Sequence, residues 1–304
     1  MPKFGLIGNP ISKSLSPALF KSGYNGKYPY DLIEGKVFEK SWSKFLQDYD
    51  GINITAPFKE DTFNQALGLT KDGLGTISGP CYKTKSANIA VKTKEGIEFH
   101  NSDFTGVILS IAEHYFPGIV YQCYKEFGEK AYIKVHQFIR QNIQSLFSEQ
   151  PQALIIGCGG AGRTAAIAAA EMGFSTAIMN RTISKAHEFA AGLPEYGFLA
   201  VPISDFIGAV QECNLIIYTV PVSIEDIKEL RKEHLTGEIG GHKKVILEAN
   251  YTNPAFSGDT LKYIEDAGCD YITGKQWLLY QALTGYSLLT GQLPDIDKMT
   301  SLMK

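Results

Sequence analysis

Apolar residues in the first third of the chain form short runs that alternate with helix-length segments. The alternating segments are residues 3–7, 17–22, 32–37, 41–48 and 51–54. Short apolar runs between longer stretches are typical of strands and helices that follow one another along the chain. The pattern therefore predicts an α/β domain at the N-terminus.

Residues 113–150 differ from this beginning, because their apolar positions recur at helical spacing. They are Val135, Phe138, Ile139, Ile143, Leu146 and Phe147. Prolines stand near both edges of the stretch, at Pro117 and Pro151. The spacing predicts a mostly helical connecting insertion.

The alternation restarts at residue 153. Strands are predicted at 153–156, 175–179, 215–218 and 245–249, and helices at 163–172 and 183–191. Repeated strand-helix units predict a doubly wound parallel sheet. Near the C-terminus, Leu278, Ala282, Leu283 and Tyr286 fall on one helical stripe, which predicts an amphipathic helix over 277–290.

Length and composition favour two globular domains with a small-molecule partner. The 304 residues are 44% hydrophobic, and 29 basic and 32 acidic residues give a net charge of −3. Because the basic residues form no blocks, we expect no nucleic-acid surface. The five cysteines stand singly, so neither a disulfide framework nor a metal site is expected. The chain has no leader pattern and no membrane-length apolar window, and a cytoplasmic protein is predicted.

A glycine-rich loop follows the strand predicted at 153–156. Its residues Gly157, Cys158, Gly159, Gly160, Ala161 and Gly162 satisfy G-x-G-x-x-G and open an Ala-rich helix. In this context the glycines permit a tight turn and let backbone N–H groups approach a pyrophosphate. The alternative is a strand-to-helix turn without a ligand. We favour dinucleotide binding because of the strand and helix on either side.

The next strand end distinguishes NAD from NADP. An acidic residue there would bind the ribose 2′-hydroxyl, but the chain has Asn180, Arg181 and Thr182, with Lys185 one turn later. Guanidinium, ammonium and hydroxyl groups suit a 2′-phosphate. The alternative is a solvated helix start. We predict NADP as the cofactor.

Two hydroxyls converge near a predicted helix start in the N-terminal region. Ser16 is expected at the N-cap and Pro17 at the first helical position, with Ser14 two residues earlier. Such a place can hold a substrate carboxylate, although this segment by itself favours a simple capped helix.

Together with other segments, this region resembles the shikimate dehydrogenase family. The matching segments, in order, are Gly8 to Pro17, Asn53 to Lys59, Ala87-Asn88, Asn101 to Gly106, Gly157 to Ala161, Asn180 to Thr182, and Gly274 with Gln281-Ala282. They extend over nearly the whole length of the chain.

The resemblance implies roles for individual residues. Lys59 and Asp103 would be the catalytic pair. Substrate would be bound by Ser14, Ser16, Asn53, Thr55, Asn88, Tyr251 and Gln281. The cofactor set would be Gly157, Gly159, Gly160, Ala161, Gly162, Asn180, Arg181, Thr182, Lys185 and Gly274. Chemistry agrees for the pair, since oxidising a hydroxyl requires a group that takes its proton.

The resemblance also implies an architecture and an activity. An N-terminal α/β substrate-binding domain, 1–112 with 277–304, would precede the insertion 113–150 and a Rossmann-type NADP-binding domain, 151–276. The C-terminal helix would return to the first domain. The expected reaction is reversible reduction of 3-dehydroshikimate to shikimate by a monomer or homodimer, within chorismate and aromatic amino-acid biosynthesis. A quinate dehydrogenase and a non-catalytic sensor remain open alternatives.

Two segments depart from the family pattern. This chain has Tyr218-Thr-Val-Pro221 where the family has N-x-T-P, and Gly274-Lys-Gln276-Trp277 where the family has G-L-G-M. A side chain in place of glycine fills space that a ligand could use. We therefore predict altered nicotinamide binding, with the Trp277 ring offering an apolar face to the nicotinamide.

Overall fold

A computed structural model describes residues 1–236 and 241–303. The chain divides into two units. The first, here called the N-terminal unit, comprises Met1–Gly106, Tyr121–Tyr132 and Leu278–Lys304. The second unit comprises Val107–Val120 and Ile133–Trp277. Residues 237–240 and 304, which fall in the predicted ranges 151–276 and 277–304, lie outside the described residues.

A mixed six-stranded sheet forms the centre of the N-terminal unit. Its strands are β1 (Phe4–Gly8), β2 (Tyr30–Glu34), β3 (Gly51–Ile54), β4 (Gly75–Ile77), β5 (Ile89–Thr93) and β6 (Gly96–His100). The order is β2-β1-β3-β5-β6-β4. Strand β1 runs parallel to β2 and β3, and β5 runs antiparallel to β3 and β6. The strand expected at 32–37 begins earlier because Tyr30 pairs with Phe4.

Helices follow the strands in the N-terminal half and continue through the connecting stretch. They are α1 (Ser16–Gly23), α2 (Phe38–Asp48), α3 (Lys59–Lys71), α4 (Gly79–Thr84), α5 (Ser102–Tyr115), α6 (Ile119–Phe127) and α7 (Ala131–Asn142). Two short 3₁₀ helices, Gly128–Lys130 and Ile143–Leu146, flank α7. The stretch between the two sheets is thus helical, as its periodicity predicted.

The second unit contains a six-stranded sheet in which every paired strand is parallel. Its strands are β7 (Gln152–Ile156), β8 (Ser175–Met179), β9 (Leu199–Val201), β10 (Leu215–Tyr218), β11 (Val245–Glu248) and β12 (Asp270–Ile272). The order β12-β11-β10-β7-β8-β9 is that of a doubly wound dinucleotide-binding sheet. The predicted Rossmann-type fold is confirmed.

The connections of this sheet are helical. They contain α8 (Gly160–Met172), α9 (Ile183–Ala191), α10 (Phe206–Glu212), α11 (Lys232–Leu235) and α12 (Asp259–Asp266), with 3₁₀ helices at Pro194–Tyr196, Ile203–Asp205 and Glu225–Glu229. The apolar pattern located β8, β10 and α9 at their observed bounds. It missed β9 and β12, since three residues are too few to show a period.

Two helices complete the chain, α13 (Gly274–Thr290) and α14 (Ile296–Met303). The predicted stripe of α13 is buried, but the prediction of an amphipathic helix is wrong. Within α13 only Lys275 is exposed, and Trp277, Tyr280 and Thr284 off the stripe are buried too. A helix covered on every side needs no polar face.

The two faces of the N-terminal sheet carry different side chains. Ile7, Ile52 and Ile54 point to one face and join an apolar cluster with Trp42 and Phe45 of α2. The opposite face carries Phe4 and Tyr30, whose rings contact Phe20 of α1, and the Tyr30 ring also lies 6.1 Å from that of Tyr286 in α13. Because strand side chains alternate, Asn53 belongs to this second face.

All five cysteines are buried free thiols. Burial raises the pKa of Cys81 and of Cys213 to about 12. It also raises the pKa of Cys123 and of Cys269. Among the described residues, no helix combines the length and the apolar character that a bilayer crossing needs.

Candidate active site

Lys59 and Asp103 come together in the N-terminal unit. Lys59 begins α3, just after β3, and Asp103 lies in the first turn of α5. The Lys59 Nζ donates a hydrogen bond to Asp103 Oδ2. The Asp103 side chain is 4% exposed, whereas the Lys59 side chain retains 17% of its surface. The ammonium is therefore the more accessible end of the pair.

The second carboxylate oxygen of Asp103 is held by Asn88. Asn88 Nδ2 donates to Asp103 Oδ1 at 2.9 Å and to Ser102 Oγ at 3.2 Å. The backbone N–H of Ser102 donates to Asn88 Oδ1 at 2.8 Å. Because both ends of this amide are engaged, its orientation is fixed. The visible role of Asn88 is to position Asp103.

Local backbone contacts bring these segments into register. The N–H of Ile54 donates to Asn88 O at 2.8 Å, and the N–H of Ala87 donates to Lys59 O at 3.1 Å. Asn101 precedes α5 and accepts the N–H of Phe104 at 3.4 Å, in the manner of an N-cap. The end of β3, the start of β5 and the start of α5 are thereby fixed together.

Ser14 and Ser16 lie at the start of α1, but not as predicted. The N-cap is Leu15, which places Ser16 and Pro17 inside the helix, and the Ser16 side chain makes no capping bond. Instead, Ser14 Oγ accepts the N–H of Ser16 at 3.2 Å. The N-cap assignment of Ser16 is wrong because the chain becomes helical one residue earlier. Among the described residues nothing bonds the Ser16 hydroxyl.

Three further substrate candidates belong to the same unit. Asn53 and Thr55 lie at the carboxyl end of β3 and are half-buried, as is Gln281 in α13. Gly285, one turn after Gln281, packs so closely that an added Cβ would lie 2.9 Å from Ser102 Oγ. Residues four apart share a helix face, which places Gln281 on the side of α13 that faces the start of α5.

The glycine loop of the second unit connects β7 to α8. Gly157 has φ +106°, and an added Cβ on Gly162 would lie 2.0 Å from Gly157 O, so both glycines are required by the turn itself. An added Cβ on Gly159 would meet nothing within 4 Å. Gly159 thus leaves open space before the N-terminus of α8, where Gly160 and Ala161 begin the helix. The loop fits a dinucleotide phosphate.

The predicted 2′-phosphate residues follow β8. Asn180 accepts the N–H of Cys158 at 3.2 Å and donates to Thr182 O at 2.9 Å, which ties this turn to the glycine loop. Arg181, Thr182 and Lys185 are exposed. Two cations are therefore presented beside the loop, and the segment Asn180–Lys185 contains no carboxylate.

Tyr251 and Gly274 belong to the second unit. Tyr251 is half-buried on the loop after β11. Asn250 Oδ1 accepts the N–H groups of Thr252 and Asn253 at 3.0 and 3.1 Å. An added Cβ on Gly274 would lie 2.6 Å from Ala249 O, so this glycine is explained by packing against the loop.

A buried carboxylate supports the same loop. Glu248 accepts the N–H of Ala255 at 2.5 Å, the N–H of Phe256 at 3.3 Å and the hydroxyl of Tyr271 at 2.6 Å. Burial raises the pKa of Glu248, and the three donors only partly oppose this effect. Among the described residues, no cluster of His, Cys, Asp and Glu could hold a metal ion.

Family models match both halves of the chain. The model described as shikimate dehydrogenase substrate binding domain matches residues 6–72, and the one described as shikimate / quinate 5-dehydrogenase matches residues 139–235. The chain belongs to the shikimate dehydrogenase family.

Full-length relatives and solved structures agree with this assignment. A shikimate dehydrogenase (NADP(+)) of Natronomonas pharaonis is 24% identical, over 100% of this chain and 99% of the relative. The shikimate 5-dehydrogenase of Thermus thermophilus, solved in complex with NADP(H) and shikimate, superposes with a TM-score of 0.72 at 21% identity, covering 100% and 98% of the two chains. A quinate dehydrogenase from Corynebacterium glutamicum in complex with NAD gives 0.70 at 17% identity, covering 99% and 97%. These structures share the fold.

Each departure from the shikimate dehydrogenase pattern contains one buried aromatic residue. Tyr218 is fully buried, and its hydroxyl donates to Val222 O at 2.6 Å and accepts the N–H of Ile224 at 3.2 Å. Burial raises the pKa of Tyr218 to about 12. Trp277 is 3% exposed, while Gln276 is half-buried. The Trp277 ring therefore packs inside the protein in this structure, where it presents no open face.

Sequence reasoning missed several supporting residues of this shikimate dehydrogenase-type site. Ser102 locks Asn88, Thr219 donates to Ile156 O at 2.9 Å beside Gly157, and Glu248 holds the Tyr251 loop. Ser102 lies within the Asn101 to Gly106 segment and Thr219 within the Tyr218 to Pro221 segment, so both could have been identified from these motifs. Glu248 could also have been identified, because a glutamate at the end of an apolar strand is rarely buried unless other groups hydrogen-bond to it.

Proposed function

We propose that the protein is an NADP-dependent shikimate dehydrogenase, which reversibly reduces 3-dehydroshikimate to shikimate in aromatic amino-acid biosynthesis. Membership of the family supports this assignment over the length of the chain. The observation that carries it is the Lys59–Asp103 pair, whose second carboxylate oxygen is fixed by Asn88. A binding protein without turnover would have no need of an oriented proton-transfer pair.

The pair suits the proton half of the reaction. When NADP is bound, its nicotinamide accepts or returns the hydride. Oxidation of the hydroxyl also releases a proton, which needs a positioned acceptor within hydrogen-bond reach. Lys59 Nζ is the more exposed member and contacts the substrate oxygen, while Asp103 holds the ammonium in place. During oxidation the Lys59 ammonium passes one proton to the Asp103 carboxylate as it takes up the hydroxyl proton, so the pair as a whole gains that proton, and reduction reverses both transfers. Asn88 prevents the carboxylate from rotating away.

The substrate carboxylate is placed at the start of α1. Ser14 Oγ accepts one backbone N–H and still has its own O–H to donate, and the Ser16 hydroxyl makes no bond to a described residue. Both hydroxyls are therefore available as donors beside a helix N-terminus. Within the N-terminal unit Thr55 and Gln281 contact the ring hydroxyls, and Asn53 contributes at the carboxylate. Asn88, whose N–H groups are engaged, contributes through the remaining lone pair of Oδ1. Tyr251 is the substrate-binding candidate of the second unit.

The cofactor is held by the second unit. The backbone at Gly157, Gly159, Gly160, Ala161 and Gly162 receives the pyrophosphate. Arg181, with Thr182 and Lys185, pairs with the 2′-phosphate, since an exposed guanidinium can bind a phosphate through two hydrogen bonds. Asn180 fixes the two segments relative to each other. Gly274 supports the nicotinamide side through the Tyr251 loop.

The domains and assembly follow the same proposal. Residues 1–112 with 277–304 bind substrate, 151–276 bind NADP and 113–150 connect them. The substrate-binding family model supports the first range, since its match to residues 6–72 lies within it. The protein works in the cytoplasm as a monomer or homodimer. Light scattering of the purified protein measures its mass, and a larger assembly would contradict that part.

The deciding experiment is NADPH formation by the purified protein supplied with shikimate and NADP. Sustained formation that depends on both compounds is expected. Calorimetry with each compound is run alongside. Binding of both without turnover would replace the enzyme by a sensor of the same fold, and binding of neither would reject the proposal.

Quinate dehydrogenation is the second candidate. One matching family model is described as shikimate / quinate 5-dehydrogenase, and a quinate dehydrogenase shares the fold. Quinate bears an additional hydroxyl, which a site accepts or rejects through a few polar groups. The same assay with quinate distinguishes the two candidates. A higher kcat/KM for quinate than for shikimate would make quinate dehydrogenation the preferred function.

A further inference from the structure

We propose that Tyr30 is a positioning residue, which orients the Asn53 amide so that its N–H groups meet the carboxylate of the substrate. The inference rests on the proposed function and adds a residue outside the family motifs. Tyr30 begins β2, and Asn53 lies near the end of β3, two strands away in the sheet.

The two side chains are joined by one hydrogen bond. The Tyr30 hydroxyl donates to Asn53 Oδ1 at 2.8 Å. An amide whose oxygen is engaged must point its NH₂ group the other way. Among the described residues no acceptor binds Asn53 Nδ2, and the side chain is half-buried. Tyr30 thus determines which end of the amide is left to donate.

The available amide lies on the same face of the sheet as the serines. The Tyr30 ring contacts Phe20 of α1 at 4.5 Å between centroids. The Tyr286 ring lies 6.1 Å from that of Tyr30, and the Tyr286 hydroxyl donates to Ser16 O at 3.1 Å. Tyr30, Tyr286 and the first turn of α1 therefore form one connected group, and Asn53 is bonded to it.

The carboxyl end of β3 turns towards that helix. The N–H of Asn9, in the segment that leads to Ser14, donates to Ala56 O at 3.0 Å. Thr55 follows Asn53 by two residues and shares its face. A neutral NH₂ donor beside two free hydroxyls complements an anion, and it does so only while the amide oxygen is turned away.

Removal of the hydroxyl alone tests the positioning role. In Tyr30→Phe the ring contacts remain, but the Asn53 amide is free to rotate. We expect the KM for shikimate to rise about fivefold, the effect of one neutral hydrogen bond. The kcat and the KM for NADP should stay within about twofold of wild type. Asn53→Asp should raise the shikimate KM further, because a carboxylate there repels the substrate anion.

Tyr28→Phe is the matched control. Tyr28 is a neighbouring tyrosine on the same segment, and its hydroxyl donates to Gln292 Oε1 at 3.1 Å instead. This variant should keep the wild-type KM for shikimate. An equal rise in both phenylalanine variants, or no rise in Tyr30→Phe, overturns the proposal.

A double-mutant cycle separates positioning from packing. In an Asn53→Ala background, Tyr30→Phe should have no further effect on the shikimate KM, since no amide remains to orient. Additive effects would assign Tyr30 to packing alone. If wild type does not oxidise shikimate, the proposed function fails on its own. The same cycle is then read by calorimetric shikimate affinity, where a coupled loss supports the role of Tyr30 and unchanged affinity rejects it.

Discussion

The N-terminal unit and the second unit build their binding groups in different ways. Lys59, Asp103 and Asn88 are side chains from three separate segments, and each is held by another side chain. In the second unit the proposed cofactor-binding surface is backbone, exposed by Gly159 and shaped by Gly157 and Gly162. A side-chain network fails when any member is removed, whereas a backbone loop fails only where a new side chain obstructs it.

The largest expected effect concerns the side-chain network. Lys59→Ala should lower kcat for shikimate oxidation at least about a hundredfold, the usual loss when acid-base assistance disappears, with nearly unchanged shikimate affinity. Stopped-flow or steady-state assays of NADPH formation give kcat. Calorimetry gives the affinity for shikimate. Lys71→Ala at the exposed end of the same helix is the control. Near-normal turnover in Lys59→Ala would remove Lys59 from the mechanism.

Two glycines test the backbone loop. Gly162→Ala places a Cβ 2.0 Å from Gly157 O and should disrupt the loop, so both the midpoint of thermal unfolding and NADP affinity should fall. Gly159→Ala meets no protein atom within 4 Å, so the protein should fold normally while its Kd for NADP rises about tenfold. Unfolding curves and calorimetry separate these outcomes. Wild-type NADP affinity in Gly159→Ala would mean that the phosphates do not approach this residue.

Arg181 should affect only one of the two cofactors. Arg181→Ala is expected to raise the KM for NADP about tenfold and to leave the KM for NAD within about twofold, because only NADP carries the 2′-phosphate. Steady-state rates with each cofactor at saturating shikimate provide the measurement. Arg140→Ala, at an exposed position of α7, is a matched arginine control. Equal losses with both cofactors would argue against a 2′-phosphate contact.

The smallest effect concerns the support of the Tyr251 loop. The pKa of Glu248 is raised in the folded protein above its unfolded value near 4.5. Its contribution to stability is therefore complete below pH 4.5 and is lost as pH rises through the folded pKa. The stability difference between wild type and Glu248→Gln should decline over that window, by at most about 1.4 kcal/mol per pH unit.

Urea unfolding at a series of pH values measures this difference. The exposed Glu225→Gln variant supplies the baseline, since Glu225 makes only a surface ion pair with Lys228. A difference for Glu248→Gln that does not change with pH would show that its carboxyl group titrates as in the unfolded chain.

The same contrast explains what the sequence could predict. In the Rossmann-type unit the four longer strands were predictable, because buried parallel strands are continuous apolar runs, and the glycine loop was predictable because it is contiguous. The three-residue strands β9 and β12 were not. The Lys59–Asp103 pair required the family resemblance, since its members are 44 residues apart. The N-cap at Leu15 was missed because Ser16 followed by Pro17 has the residue types of a helix start, whereas leucine is a poor N-cap residue.

Tertiary packing decided the remaining differences. Helix α13 has an apolar stripe, yet burial on all sides erased the expected polar face. Trp277 was expected to offer its ring to the nicotinamide, and the structure buries that ring. Neither the burial of α13 on every side nor that of the Trp277 ring can be derived from the spacing of apolar residues. The periodicity shows which residues can be buried, but it does not show which other parts of the protein pack around the helix.

The five buried thiols give this chain a built-in reporter of its own opening. Alkylating reagents attack thiolates at accessible sulfur, so the folded protein should react slowly at every cysteine. Labelling that does occur must pass through local or global opening. Cys81 and Cys123 lie in the N-terminal unit, and Cys158, Cys213 and Cys269 lie in the second. The order in which peptides from the two units acquire label, with and without NADP, therefore records which half of the molecule opens first and which half the cofactor keeps closed.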